Sequence, residues 1–146
     1  MEEVIRVSVG ILVDKCMGYV RVLIAKRPID GVLGGYWEFP GGKLEEGEGY
    51  EACVVREYEE ELGVKVRVTG ELESVEHEYD YGKVRLQPFY CEYVSGVLQN
   101  LAVVEHKWVR PGELGMYELP PANRGMIEQV VRELSNEVAV SRSLAG

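Results

Sequence analysis

The chain is poor in the donors that build zinc sites and disulfide frameworks: its 146 residues include two histidines and three cysteines. Cys16, Cys53 and Cys91 are odd in number and widely spaced, so they read as reduced thiols. His77 and His106 are too isolated for a zinc site. No apolar run approaches roughly 18 residues, which excludes a spanning helix. The Met-Glu-Glu start lacks the basic and apolar regions of a signal peptide, so a soluble, cytoplasmic protein is expected. Basic residues are also scarce, with 16 Lys+Arg against 25 Asp+Glu and a net charge of -9. That balance excludes a groove for long nucleic acid, which would need phosphates neutralised by Lys and Arg. There is no Ser-His-Asp or Cys-His constellation, no Gly-x-Gly-x-x-Gly opening to a helix and no Gly-Lys-Ser/Thr phosphate loop. What remains is one domain over residues 1–146, with its last eight residues expected to be loose. A chain of this length buries roughly two-thirds of its unfolded surface and needs no staple.

The acid excess is local. Residues 45–61 hold eight glutamates and one arginine, a net of -7, which leaves -2 for the rest of the chain. Seven of the 17 glycines fall in the same place, Gly31, Gly34, Gly35, Gly41, Gly42, Gly47 and Gly49, just before or inside the acidic block. Around it, β-branched runs at Val4–Val13 and Tyr19–Ala25 predict a hairpin. Tyr36–Phe39 predicts a short extended piece stopped by Pro40, followed by a loop over Gly41–Gly49. Tyr50–Leu62 predicts a helix with Gly63 as its cap. Arg67–Tyr79, Lys83–Tyr93 and Ala102–Val109 predict strands, the last interrupted at Glu105–Trp108, and Pro111 opens a short turn or helix. Asn123–Val138 carries the apolar stripe of a helix that packs on a sheet. The fold class expected is α/β (α+β), with a mixed sheet and two main helices.

On the first helix Val55, Tyr58 and Leu62 form one stripe, and Glu57, Glu60 and Glu61 cluster beside it, about one turn apart. Like charges so placed repel by about 0.2–0.5 kcal/mol per pair, a cost that disappears when a divalent cation bridges them. Oxygen donors alone favour Mg²⁺ or Mn²⁺. An ordinary solvated helix face is the plain alternative, but the rigid Pro-Gly-Gly turn upstream and the single Arg56 among so many carboxylates weigh against it.

Gly42, Glu48 and the run Arg56-Glu57-Tyr58-Glu59-Glu60-Glu61-Leu62-Gly63-Val64, with five and seven residues between them, resemble the signature box of the Nudix hydrolases. Tyr58 departs from the pattern, standing where that family usually has an aliphatic residue, and bears on packing more than on chemistry. Trp37-Glu38-Phe39-Pro40-Gly41-Gly42-Lys43 looks like the segment before the box in the MutT-type branch. Leu119-Pro120-Pro121-Ala122-Asn123 resembles the segment in which that branch reads oxidised guanine. The likeness runs from about Val4 to Leu134 and implies a Nudix-like α/β/α sandwich.

The resemblance also implies roles. Glu57, Glu60 and Glu61, with the Gly41 carbonyl, would hold Mg²⁺ or Mn²⁺, and Arg56 would orient Glu48 and the loop. Glu105, the acid nearest the late strand, is the candidate for a base or further metal ligand, against a plain surface carboxylate. Arg27 would hold a phosphate oxygen, where a strand-end arginine taken alone reads as solvated. Asn123 would read a purine edge or simply cap the last helix, and Tyr79 would wall the base or simply pack in the core or at the surface. Glu38 is a substrate-side candidate or a structural link to the Gly-Gly loop. Val32 stands where the best-known site of this branch has a polar ring, which loosens the base preference. The implied activity is metal-dependent hydrolysis of nucleoside triphosphates to monophosphate and pyrophosphate, in sanitation of the nucleotide pool, by a monomer or homodimer. The alternatives are another diphosphate-linked substrate, such as a pyrimidine triphosphate, a dinucleoside polyphosphate or a nucleotide sugar, or a non-catalytic nucleotide-binding module.

Overall fold

A computed structural model describes residues 4–15, 18–30 and 34–145, with side chains described through Ser135. Cys16, Gly31 and Val32 lie outside the described residues, as do the side chains of the carboxy-terminal segment expected to be loose. Among the described residues eight strands form one mixed sheet: β1 (Val4–Asp14), β2 (Arg21–Lys26), β3 (Trp37–Glu38), β4 (Gly41–Lys43), β5 (Val64–Glu71), β6 (Val75–Tyr79), β7 (Gly82–Gly96) and β8 (Glu105–Val109). Two helices, α1 (Tyr50–Leu62) and α2 (Arg124–Ala145), cover its faces, and short 3-10 turns at Pro111–Met116 and Pro121–Asn123 lead into α2.

β1 organises the sheet. One edge runs parallel to β7 from Val4↔Lys83 to Leu12↔Cys91. The other edge splits, pairing with β4 at residues 7–9 and with β2 at Val13 and Asp14. β2 in turn carries β3 and β8, while β5 and β6 both pair with β7. Because strand side chains alternate between faces, β1 sends Val9 and Ile11 to the α2 side with Ile24, Met126, Val130 and Leu134, and Leu12 to the α1 side with Leu23, Val54, Tyr58 and Leu62. The result is the expected three-layer α/β/α sandwich. Among the described residues no helix is long and apolar enough to cross a membrane.

Several boundaries differ from expectation. The Arg67–Tyr79 run is two strands, because β5 and β6 take successive stretches of β7. Gly41–Lys43 is a strand, drawn into the sheet by β1. The last strand begins at Glu105, and the Glu105–Trp108 stretch read as an interruption is the strand itself, paired with β2 from Lys26 to Leu23. Cys53 and Cys91 are buried free thiols, as the odd count suggested. Burial pushes Cys53 up to about 11 and Cys91 up to about 12, so neither is primed for nucleophilic work.

Candidate active site

The site forms where the β4 glycines pass beneath α1. A side chain at Gly42 would put its Cβ 2.4 Å from Glu57 Oε1, so the absence of one lets the carboxylate rest against backbone. Ser8 ties the start of α1 to this layer through Oγ, which donates to the Tyr50 carbonyl at 2.7 Å. At the other end Gly63 terminates the helix, its N–H on the Glu59 carbonyl at 3.0 Å.

Arg56 is the hub. Its Nε and Nη2 donate to the two oxygens of Glu48 at 2.7 and 2.9 Å, its Nη1 to Glu57 at 2.9 Å and Glu60 at 3.1 Å, and its Nη2 to the Lys43 carbonyl at 3.1 Å. Glu45 lies 3.4 Å away. One planar guanidinium thus joins the loop to the helix, a task its fixed fork suits better than a lysine ammonium. The hydrogen bonds from Arg56 hold Glu48 down to about 2. The same carboxylates keep Arg56 charged.

Glu61 lies deeper. Burial, a hydrogen bond with Glu57 and the nearby charges of Glu38 and Glu57 push it up to about 9, and its Oε2 is buried without a partner. Glu38 is pushed up to about 7, chiefly by burial, against the pull of Arg27, whose Nη1 donates to it at 3.1 Å. Glu38 therefore belongs with the carboxylates of α1. Its sequence signal was a charge between two aromatics on a short strand, which requires a partner when buried.

Among the described residues no three His, Cys, Asp or Glu side chains converge as a ready cation cage. The arrangement nevertheless fits a divalent cation: Glu57 and Glu60 are turned onto Arg56, and the buried, partnerless Oε2 of Glu61 needs a positive partner.

Other predicted residues divide by face. Asn123 is buried, in the turn that leads into α2. Tyr79, opposite Gly82, shares its face with Val75 and Leu86, the α2 side, and stacks on Tyr81 with centroids 5.1 Å apart. Glu105 is not brought to the α1 glutamates: it pairs with Lys26, and strand alternation puts both on the α2 face, opposite to Ala25. Sequence reasoning missed the pairing of His106 Nδ1 with Asn100 Oδ1 at 2.5 Å. The two stand six residues apart across a strand boundary, and no local pattern announces the contact.

The NUDIX domain model matches residues 9–129. The chain belongs to the Nudix family. Its MutT-type character is borne out by several relatives. An 8-oxo-dGTP diphosphatase of Proteus vulgaris is 38% identical over 85 residues, 58% of this chain and 73% of that protein. A CTP pyrophosphohydrolase of Escherichia coli is 33% identical over 108 residues, 74% of this chain and 80% of the relative. Among solved structures, the MutT protein of Methanosarcina mazei superposes with a TM-score of 0.77 at 26% identity, over 90% of this chain and 96% of its own. This Nudix chain is accordingly an enzyme, a pyrophosphohydrolase by family.

Proposed function

We propose that the protein hydrolyses nucleoside triphosphates to nucleoside monophosphate and pyrophosphate with Mg²⁺ or Mn²⁺, acts on the cytoplasmic nucleotide pool, and takes oxidised purine nucleotides such as 8-oxo-dGTP among its substrates. The observation that carries the reading is the α1 carboxylate group, with Glu57 against Gly42 and a partnerless buried oxygen on Glu61. Glu57, Glu60 and Glu61, with the Gly41 carbonyl, would hold the cation. When bound it would neutralise the polyphosphate, polarise phosphorus and acidify a water. The chain's own residues do the rest. Arg56 keeps Glu48, Glu57 and Glu60 in one array, so the loop and the helix move as a unit. Arg27, at the end of β2 and paired with Glu38, offers a guanidinium to a phosphate oxygen. On the far face Asn123 and Tyr79 meet the base, the amide donating to and accepting from a purine edge and the ring walling it.

The 8-oxo-dGTP diphosphatases among the relatives support an oxidised purine. The CTP pyrophosphohydrolase supports a second reading, a pyrimidine triphosphate. A nucleotide panel with Mg²⁺, read as pyrophosphate release, tests both; no release from any canonical or oxidised nucleotide would overturn the class. A loss in Asn123→Ala confined to the oxidised purine favours the first reading, and an unchanged ranking favours the second.

A further inference from the structure

Hydrolysis needs a group to take the proton of the attacking water, and the expected loop glutamate is missing. No residue from Val97 to Val104 is acidic, and Glu105 stands on the face of the sheet turned away from α1. His106 stands on the right one. Ala25 pairs with Glu38 on one side and with His106 on the other, so the three form a row across β3, β2 and β8 on the face that packs against α1. The row lies at the end of β2 that leads into Arg27. Glu38 is taken up by Arg27 at 3.1 Å, and Ala25 has only a methyl group.

The imidazole is oriented. An amide oxygen only accepts hydrogen bonds, so the contact of Asn100 Oδ1 with Nδ1 places the proton of the neutral ring on Nδ1 and leaves Nε2 with its lone pair. Asn100 is itself held, its Nδ2 donating to the Val104 carbonyl at 3.5 Å. The adjoining backbone is fastened to α1: Gln99 N–H donates to the Leu62 carbonyl at 2.9 Å, and the N–H groups of Leu101 and Ala102 donate to the Glu61 carbonyl at 3.0 and 3.2 Å. The loop that sets the histidine is thus tied to the helix turn that carries Glu61.

We propose that His106, oriented by Asn100, is the proton acceptor of the hydrolysis. This role rests on the nucleoside triphosphate reading. The water oxygen bonds to phosphorus, its proton passes to Nε2, and the bridging P–O bond breaks with its electron pair on the departing phosphate group. The test compares wild-type protein with His106→Gln and Asn100→Ala for pyrophosphate release with Mg²⁺, alongside Mn²⁺ binding followed by water proton relaxation. In His106→Gln kcat falls by about 10²-fold or more while KM and Mn²⁺ binding hold. Asn100→Ala lowers kcat by about tenfold, and the double variant is no slower than His106→Gln, since the amide acts only through the ring. Active wild type with an unimpaired His106→Gln overturns the assignment, as does a loss expressed only in KM or accompanied by lost Mn²⁺ binding. A wild-type protein that releases no pyrophosphate from any nucleotide overturns the hydrolase reading, and the role of His106 with it.

Discussion

The two faces of the sheet are built by different physics. On the α1 face the contacts are directional, between charges or through a hydrogen bond: Arg56 reaches four carboxylates, Arg27 holds Glu38, and Tyr58 donates to the Gly10 carbonyl at 2.6 Å. On the α2 face the contacts are broad and soft. Trp37 and Tyr117 meet edge to face at 5.5 Å, with Lys26 5.9 Å from one ring and Lys107 5.4 Å from the other, and Tyr79 stacks on an exposed Tyr81. Ion pairs fix atoms, whereas ring contacts fix surfaces and tolerate sliding. Under the proposed function the first face would carry a reaction common to every substrate, and the second a choice among bases.

The largest test of that division strikes the first face. Glu57→Gln or Glu61→Gln removes a carboxyl group from the donor set proposed for the cation, and kcat/KM is expected to fall about 10³-fold, several kcal/mol of transition-state stabilisation, equally on every nucleotide of the panel. A re-ranking of substrates by either change would break the comparison. Arg56→Lys comes next. It keeps the charge but loses the two-pronged bond to Glu48, and a supporting residue of this kind is worth roughly 10–100-fold in activity or metal affinity. Mn²⁺ titration beside kinetics separates the two.

This asymmetry also governs what the sequence disclosed. The α1 side was legible because a continuous helix and a turn before it keep their residues close along the chain: Glu48, Arg56, Glu57, Glu60 and Glu61 fall within one short segment, and their spacing implies their geometry. Glu105 shows the limit. Its nearness to a late strand suggested a role, but only the register with Lys26 reveals which face it occupies, and a shift of one residue would have reversed the answer. His106 was hidden for the same reason, since only its register with Ala25 reveals that it stands on the α1 face. The split of Arg67–Tyr79 into β5 and β6 was equally invisible, because both halves answer to one long partner, β7.

Tyr58, the departure from the box, supplies a stability test. Between its pairings with β4 and β2, β1 leaves Gly10 at the split, and the Tyr58 hydroxyl meets that carbonyl while the Gly10 N–H donates to the Pro40 carbonyl at 2.8 Å. A Cβ on Gly10 would lie 2.6 Å from Tyr58 Cε2 and 2.9 Å from Val54 Cγ1. Gly10→Ala is therefore expected to destabilise by about 1–3 kcal/mol, seen as a lowered Tm. Pairing it with Tyr58→Leu, which frees the ring's volume, should give a double variant less destabilised than the sum of the singles. Strict additivity would show that the tyrosine and the glycine are not fitted to each other.

The smallest expected effect belongs to the second face. Tyr79 is 37% exposed, so its loss leaves no buried cavity and should hardly move Tm. An aromatic contact of this kind contributes about 0.5–1.5 kcal/mol. Tyr79→Ala should thus raise KM by at most about tenfold, with kcat nearly constant. The increase should be greatest for the nucleotide whose base the wild type prefers, because the ring contributes only where a base lies against it. A uniform fall in kcat would instead mean that the α2 face takes part in the chemistry, and the division between reaction and choice would fail there.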